Sequence, residues 1–98
     1  MPAYLIAEVD VHDAEAYEAY KTRAAAAVAH FGGVYIARGG ESELLEGWPT
    51  PRRVVIIRFP DRAAARAWHD SPEYAEALAI RQRAATSRML IVDGLDLV

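Results

Sequence analysis

The sequence has no cysteine, which excludes disulfides and thiolate metal sites and fits a reducing, cytoplasmic setting. Its histidines, His12, His30 and His69, are scattered and form no His-x-x-x-His pair, so no metal is expected. Gly39-Gly40 is too short for a phosphate loop, and no cofactor is expected on the strength of any motif. A basic excess is also missing. With 11 Lys and Arg against 14 Asp and Glu, the net charge is −3, which gives nucleic acid no basic face to bind. Long hydrophobic runs are absent as well. The stretch M-P-A-Y-L-I-A-E-V-D lacks a basic start and is interrupted by Glu8 and Asp10, so neither a signal peptide nor a membrane span is expected.

What is present suits one domain, residues 1–98. Apolar residues make up 53% of the chain, much of it alanine, as in Ala24 to Ala27 and Ala63 to Ala65. Alanine favours helix but adds little buried area, so the core is thin and would gain from a second copy of the chain.

Tyr4 to Val11 alternates as a strand, with Leu5, Ala7 and Val9 on one side and Tyr4, Ile6 and Glu8 on the other. Asp13 is a helix cap, and Tyr17, Tyr20, Ala24, Val28 and Phe31 then form one helical stripe, stopped by Gly32-Gly33. Val34 to Arg38 is a second strand. Glu41 to Pro51 reads as an excursion containing a short strand around Leu44 to Glu46, with Trp48 lacking a periodic partner. Arg53 to Phe59 is apolar on both faces and belongs inside a sheet. Asp61 caps a short helix with Ala64, Ala67 and Trp68 inward; Ser71-Pro72 starts a longer helix reaching about Ala85. Arg88 to Val92 is a last strand, resuming at Leu95 to Val98 after Gly94. The order β-α-β-β-α-β predicts an α+β, ferredoxin-like domain, with a four-stranded antiparallel sheet and two helices on one face.

The uncovered face should be polar in a monomer, yet Tyr4, Ile6, Val34, Ile36, Val54, Ile56, Met89 and Ile91 are expected there. Such a patch marks an interface, and face-to-face pairing in a twofold homodimer would bury it. Glu8, Arg38, Arg58 and Asp93 place one charge near the end of each strand on that face. With the first and third strands taken as parallel neighbours, Glu8 and Arg58 would pair.

Arg81 falls on the buried stripe of the last helix, between Tyr74, Ala77, Leu78 and Ala85. A buried guanidinium needs a partner, so Arg81 is either a structural or snorkelling cation or an anion clamp. Arg38, before Gly39-Gly40, is a second binding candidate, although glycines also serve ordinary turns. Trp68 and Tyr74 flank the helix break and either line a pocket or fill the core. Tyr20, with Tyr17, lies on the inner stripe of the first helix, where a hydroxyl could meet a ligand.

The chain resembles the family catalogued as domain of unknown function 1330, among the dimeric α+β barrels. The resemblance runs nearly end to end through Gly32-Gly33, A-R-G-G at 37–40, L-E-G-W at 45–48 and R-V-V-I at 53–56. It continues in Phe59-Pro60, Ala67-Trp68, S-P-E-Y at 71–74 and Arg81. It implies the fold and a homodimer, and leaves the activity unassigned. Arg58 departs from the glutamate usual before Phe-Pro, and His69 from the aromatic usual after the tryptophan. Cofactor-free monooxygenases and small lactone isomerases are more distant relatives by fold, which is analogy only. Two readings stand open. One is a site for a small anionic or aromatic metabolite between sheet and helices, with cofactor-free chemistry. The other is a non-catalytic dimeric binding or assembly module.

Overall fold

The computed structural model describes residues 1–47 and 52–96. Its elements run β1 (Ala3–Val11), α1 (Ala14–His30), β2 (Val34–Arg38), β3 (Arg53–Phe59), α2 (Arg62–Asp70), α3 (Pro72–Ala84) and β4 (Ala85–Asp93). The strands form one antiparallel sheet in the order β2-β3-β1-β4. The helices pack on one face, giving a slab of 38 × 36 × 17 Å, one sheet and one helix layer thick. No helix among the described residues is long and apolar enough to cross a membrane.

Local signals account for the helix starts. The backbone N–H of Ala16 donates to the Asp13 carboxylate at 3.1 Å, and that of Ala64 to Asp61 at 2.8 Å. Ser71 joins two helices: its hydroxyl donates to the Trp68 carbonyl ending α2 at 2.8 Å and accepts from the Tyr74 N–H opening α3 at 3.1 Å. Alternation on β1 buries Ala3, Leu5, Ala7 and Val9 beneath the helices. These meet Tyr17, Tyr20, Ala24, Ala27 and Val28 of α1, and Leu5, Val28, Phe59, Trp68 and Tyr74 are the largest fully buried side chains.

Several expectations change. β1 and β3 are antiparallel, because the connection from β2 to β3 reverses the chain between two helical crossovers. Arg58 therefore lies opposite Tyr4, and Glu8 instead reaches Arg88 of β4 at 3.7 Å. Met89 and Ile91 stand opposite Ala7 and Leu5, which turns them toward the helices; Leu90 and Val92 take the outward places. Asp93 stands opposite Ala3, on the helix side, 3.9 Å from Arg62. On α2 the buried alanine is Ala65, while Ala67 is exposed. α3 passes straight into β4, so that strand begins at Ala85. Leu44 to Glu46 form no strand and lie exposed. Trp48, Pro49 and Pro51, and Leu97-Val98 of the expected resumption, lie outside the described residues.

The outward sheet face is apolar across its middle. Val34, Ile36, Leu90 and Val92 are 58%, 54%, 49% and 44% exposed, and Tyr4, Ile6, Val54 and Ile56 are half-exposed between them.

Candidate functional site

Under α1, the sheet and aromatic side chains of α1 and α2 border a small cavity. Its volume is about 20 Å³, and its lining includes Tyr17, Tyr20, Tyr35, Arg38, Arg53 and Trp68. It opens toward a shallow outer cleft of about 400 Å³ beside Glu18, Thr22 and Ala25; Lys21, Arg38 and Arg53 line both.

The cations reach this place for different reasons. Arg53 alternates with Val55 and Ile57 on β3, so the pleat directs it at the helices. Its guanidinium carbon sits 5.4 Å from the Tyr17 ring centroid, and its Nε is buried with no hydrogen-bond partner among the described residues. Gly39 makes room for it. At φ +72°, a Cβ there would land on the Arg53 guanidinium. Arg38 was expected on the outward face, but a β-bulge between Tyr35 and Ala37 shifts the register, so Arg38 stands opposite Val55 on the helix side. It lies 4.3 Å from the Tyr35 ring centroid and donates to the Lys21 carbonyl at 3.1 Å. Lys21 is held by Glu18 at 3.0 Å.

Behind the cavity runs a polar chain. Trp68 and Tyr74 pack with their rings tilted by 41° and their centroids 4.2 Å apart. The Tyr20 and Tyr74 hydroxyls are 2.9 Å apart, and Arg81 Nε donates to the Tyr74 oxygen at 3.3 Å. Arg81 is 8% exposed and makes no ion pair among the described residues. Its place in the last turn of α3 favours a cation, because the helix dipole is negative there. The Trp68 indole N–H is buried without a partner among the described residues. Burial, and then the Tyr74 phenol, drive the Tyr20 pKa far above its ordinary value, with Arg81 offsetting only part. Burial likewise raises Tyr35. Both phenols are therefore neutral hydrogen-bonding groups near neutral pH and not bases.

Of the residues singled out from the sequence, Tyr20, Arg38 and Trp68 line the cavity, and Tyr74 and Arg81 stand behind it. The sequence reading passed over Arg53, Lys21 and Tyr35. Strand parity was signal enough for Arg53 and Tyr35, and Lys21 borders the buried stripe of α1. His69 lies elsewhere, with Nδ1 3.5 Å from Asp70, in an open trough of about 1160 Å³ beside α2 and β4. That trough is larger, but its charges are already matched, Arg66 to Asp70 at 3.3 Å and Arg62 to Asp93 at 3.9 Å. Among the described residues no group of three His, Asp or Glu is disposed to hold a metal.

These features define an α+β, ferredoxin-like domain. A dimeric ferredoxin-like protein of unknown function from Jannaschia sp. CCS1 superposes with a TM-score of 0.65 at 12% identity, over 96% of this chain and 100% of that one. A protein of unknown function from Rhodopseudomonas palustris, RPA0582, gives 0.80 at 26% identity, over 98% of this chain and 84% of the other. SnoaB, a cofactor-independent oxygenase from Streptomyces nogalater, gives 0.68 at 19% identity, over 99% and 96%. No curated protein matches the sequence. The chain belongs to the family described as Domain of unknown function (DUF1330), whose model matches residues 2–95.

Proposed function

We propose that the protein is a homodimer joined through its outward sheet face, and that each copy holds a small organic anion in the cleft under α1. The observation that carries the second part is Arg53. Its buried Nε has no partner among the described residues, and it shares one opening with Arg38 and Lys21, where Glu18 is the acidic neighbour. A buried cationic donor without an acceptor is costly, and a ligand carboxylate relieves that cost with charge-assisted hydrogen bonds. The Tyr17 and Tyr35 rings hold the Arg53 and Arg38 guanidiniums in place. The dimeric character of the Jannaschia protein supports the first part, as does the apolar face itself.

SnoaB is a cofactor-independent oxygenase, which keeps an enzymatic role for this fold in view. A proton-abstracting reaction needs a base beside the substrate. The inner cavity is lined by no carboxylate or imidazole among the described residues, and Tyr20 stays protonated. Binding is therefore the reading the geometry supports best. The small inner volume favours one alternative, a non-catalytic assembly module whose cavity takes no ligand.

A thermal-shift screen with small aromatic and oxo carboxylic acids separates the two. At about 100 times Kd, a bound acid raises the melting temperature of a domain this size by about 10 °C. Arg53→Met, which keeps the packing stem, should abolish that shift while remaining folded. If no acid stabilises the wild type more than Arg53→Met, the anion site is refuted and the assembly reading stands.

A further inference from the structure

The direction of the buried hydrogen-bond chain follows from counting protons. Tyr74 is fully buried, and among the described residues its oxygen has two hydrogen-bonding neighbours, Arg81 Nε at 3.3 Å and Tyr20 Oη at 2.9 Å. Arg81 can only donate. The proton of Tyr74 therefore has one acceptor, the oxygen of Tyr20. The reverse arrangement, with Tyr20 donating to Tyr74, would strand a buried hydroxyl proton and cost its full desolvation. The chain thus runs Arg81 to Tyr74 to Tyr20, and it leaves the Tyr20 proton for the cavity that Tyr20 lines.

Trp68 adds a second donor. It is 1% exposed, it lines the same cavity, and its indole N–H has no partner among the described residues. Two neutral donors, one backed through Tyr74 by a buried guanidinium, meet a space of about 20 Å³, the size of a single oxygen atom with its hydrogens. Donors fixed before a ligand arrives stabilise an oxygen that carries negative charge.

We infer that this inner cavity is a subsite for a carbonyl or enolate oxygen, so that the ligand class is an oxo carboxylic acid. Its carboxylate lies between Arg38 and Arg53, and its second oxygen accepts from Tyr20 and Trp68. This rests on the anion cleft proposed above and adds a second point of recognition. Tyr20 and Trp68 bind the oxygen; Tyr74 and Arg81 are positioning residues.

The test is calorimetric titration of the purified protein with benzoylformate and with phenylacetate, which lacks the oxo oxygen. Benzoylformate is expected to bind about tenfold more tightly, the worth of one or two well-made hydrogen bonds. Tyr20→Phe should erase most of that ratio, and Trp68→Phe should reduce it. The wild-type ratio needs no variant, so a poorly folding variant does not protect the inference. Equal binding of the two acids overturns the inner subsite and leaves the anion cleft intact. A ratio that survives in folded Tyr20→Phe overturns the assignment of Tyr20. Binding of neither acid overturns the cleft and the subsite together.

Discussion

Replacing Ile6 with Asp tests the assembly at its centre. Ile6 lies on β1, opposite Ile56 of β3 and Leu90 of β4, on the outward face. It is half-exposed in the single chain, so the folded monomer tolerates the change. Four strands about 4.8 Å apart, with about six residues each at about 3.3 Å, outline roughly 400 Å² per copy. At about 25 cal/mol per Å², two such faces gain roughly 20 kcal/mol on joining, against about 4–15 kcal/mol for association. A mid-range surplus of about 10 kcal/mol corresponds to a Kd below about 1 μM. In a twofold dimer the aspartate enters twice, and each uncompensated buried charge costs about 3–5 kcal/mol. The dimer should then weaken by at least about 10⁴-fold. Sedimentation velocity at about 10 μM should show wild type and Ile6→Val as dimers and Ile6→Asp as a monomer with an unchanged far-UV spectrum. A single-copy wild type at that concentration, or a dimeric Ile6→Asp, refutes the reasoning.

Two other predictions follow from the cleft. Tyr20 titrates above its unfolded value of 10.0, so its contribution is complete below pH 10, where both states keep the proton. It is lost above pH 10, where the unfolded chain releases the proton and the folded chain does not. Melting temperatures measured between about pH 8.5 and pH 11.5 should fall more steeply for wild type than for Tyr20→Phe; equal slopes would contradict the buried neutral phenol. Gly39→Ala imposes a side chain at φ +72° and displaces Arg53, which should cost about 1–2 kcal/mol, or about 5–10 °C, and weaken acid binding. Gly40→Ala, with open space around it, is the control that should change neither.

Where the chain is punctuated locally, the sequence was enough. Gly32-Gly33 and Gly39 bracket β2, the β-branched run sets β3, and Asp13, Asp61 and Ser71 cap the helices as their side chains dictate. Where the answer depends on pairing across the chain, it was not. Nothing in Ala84-Ala85-Thr86-Ser87 signals a turn, so α3 runs into β4 unannounced, and the side on which Met89 falls depends on its register with Ala7, 82 residues away in the chain. The contact of Tyr20 with Tyr74 spans 54 residues, and no periodicity encodes it. The site was legible in part. The buried stripes gave Tyr20, Tyr74 and Arg81, but whether each faces a cavity or stands behind one is a matter of packing. Arg53 could have been found, since it shares its strand face with Val55 and Ile57.

Arg38 shows why the sheet face and the cleft belong to one design. Under strict alternation Val34, Ile36 and Arg38 would share the outward face, and pairing two copies would desolvate a guanidinium among valines and isoleucines. The bulge leaves Ile36 without a partner, sets Ala37 opposite Ile56 and turns Arg38 beneath α1. Gly39 holds the altered course, with φ +72° and its N–H bonded to the Val54 carbonyl at 2.9 Å. One shifted register therefore does two things. It keeps the β2 flank of the outward face apolar, with Val34, Ile36 and Ala37 in place of a cation. It also delivers that cation to the Tyr35 ring and the Lys21 carbonyl, at the mouth of the cavity. Among the described residues the other outward charges on β1, β3 and β4 sit toward the strand ends, Arg58 beside Tyr4, Arg88 paired with Glu8 and Asp10 near the end of β1, so the middle of the sheet stays apolar.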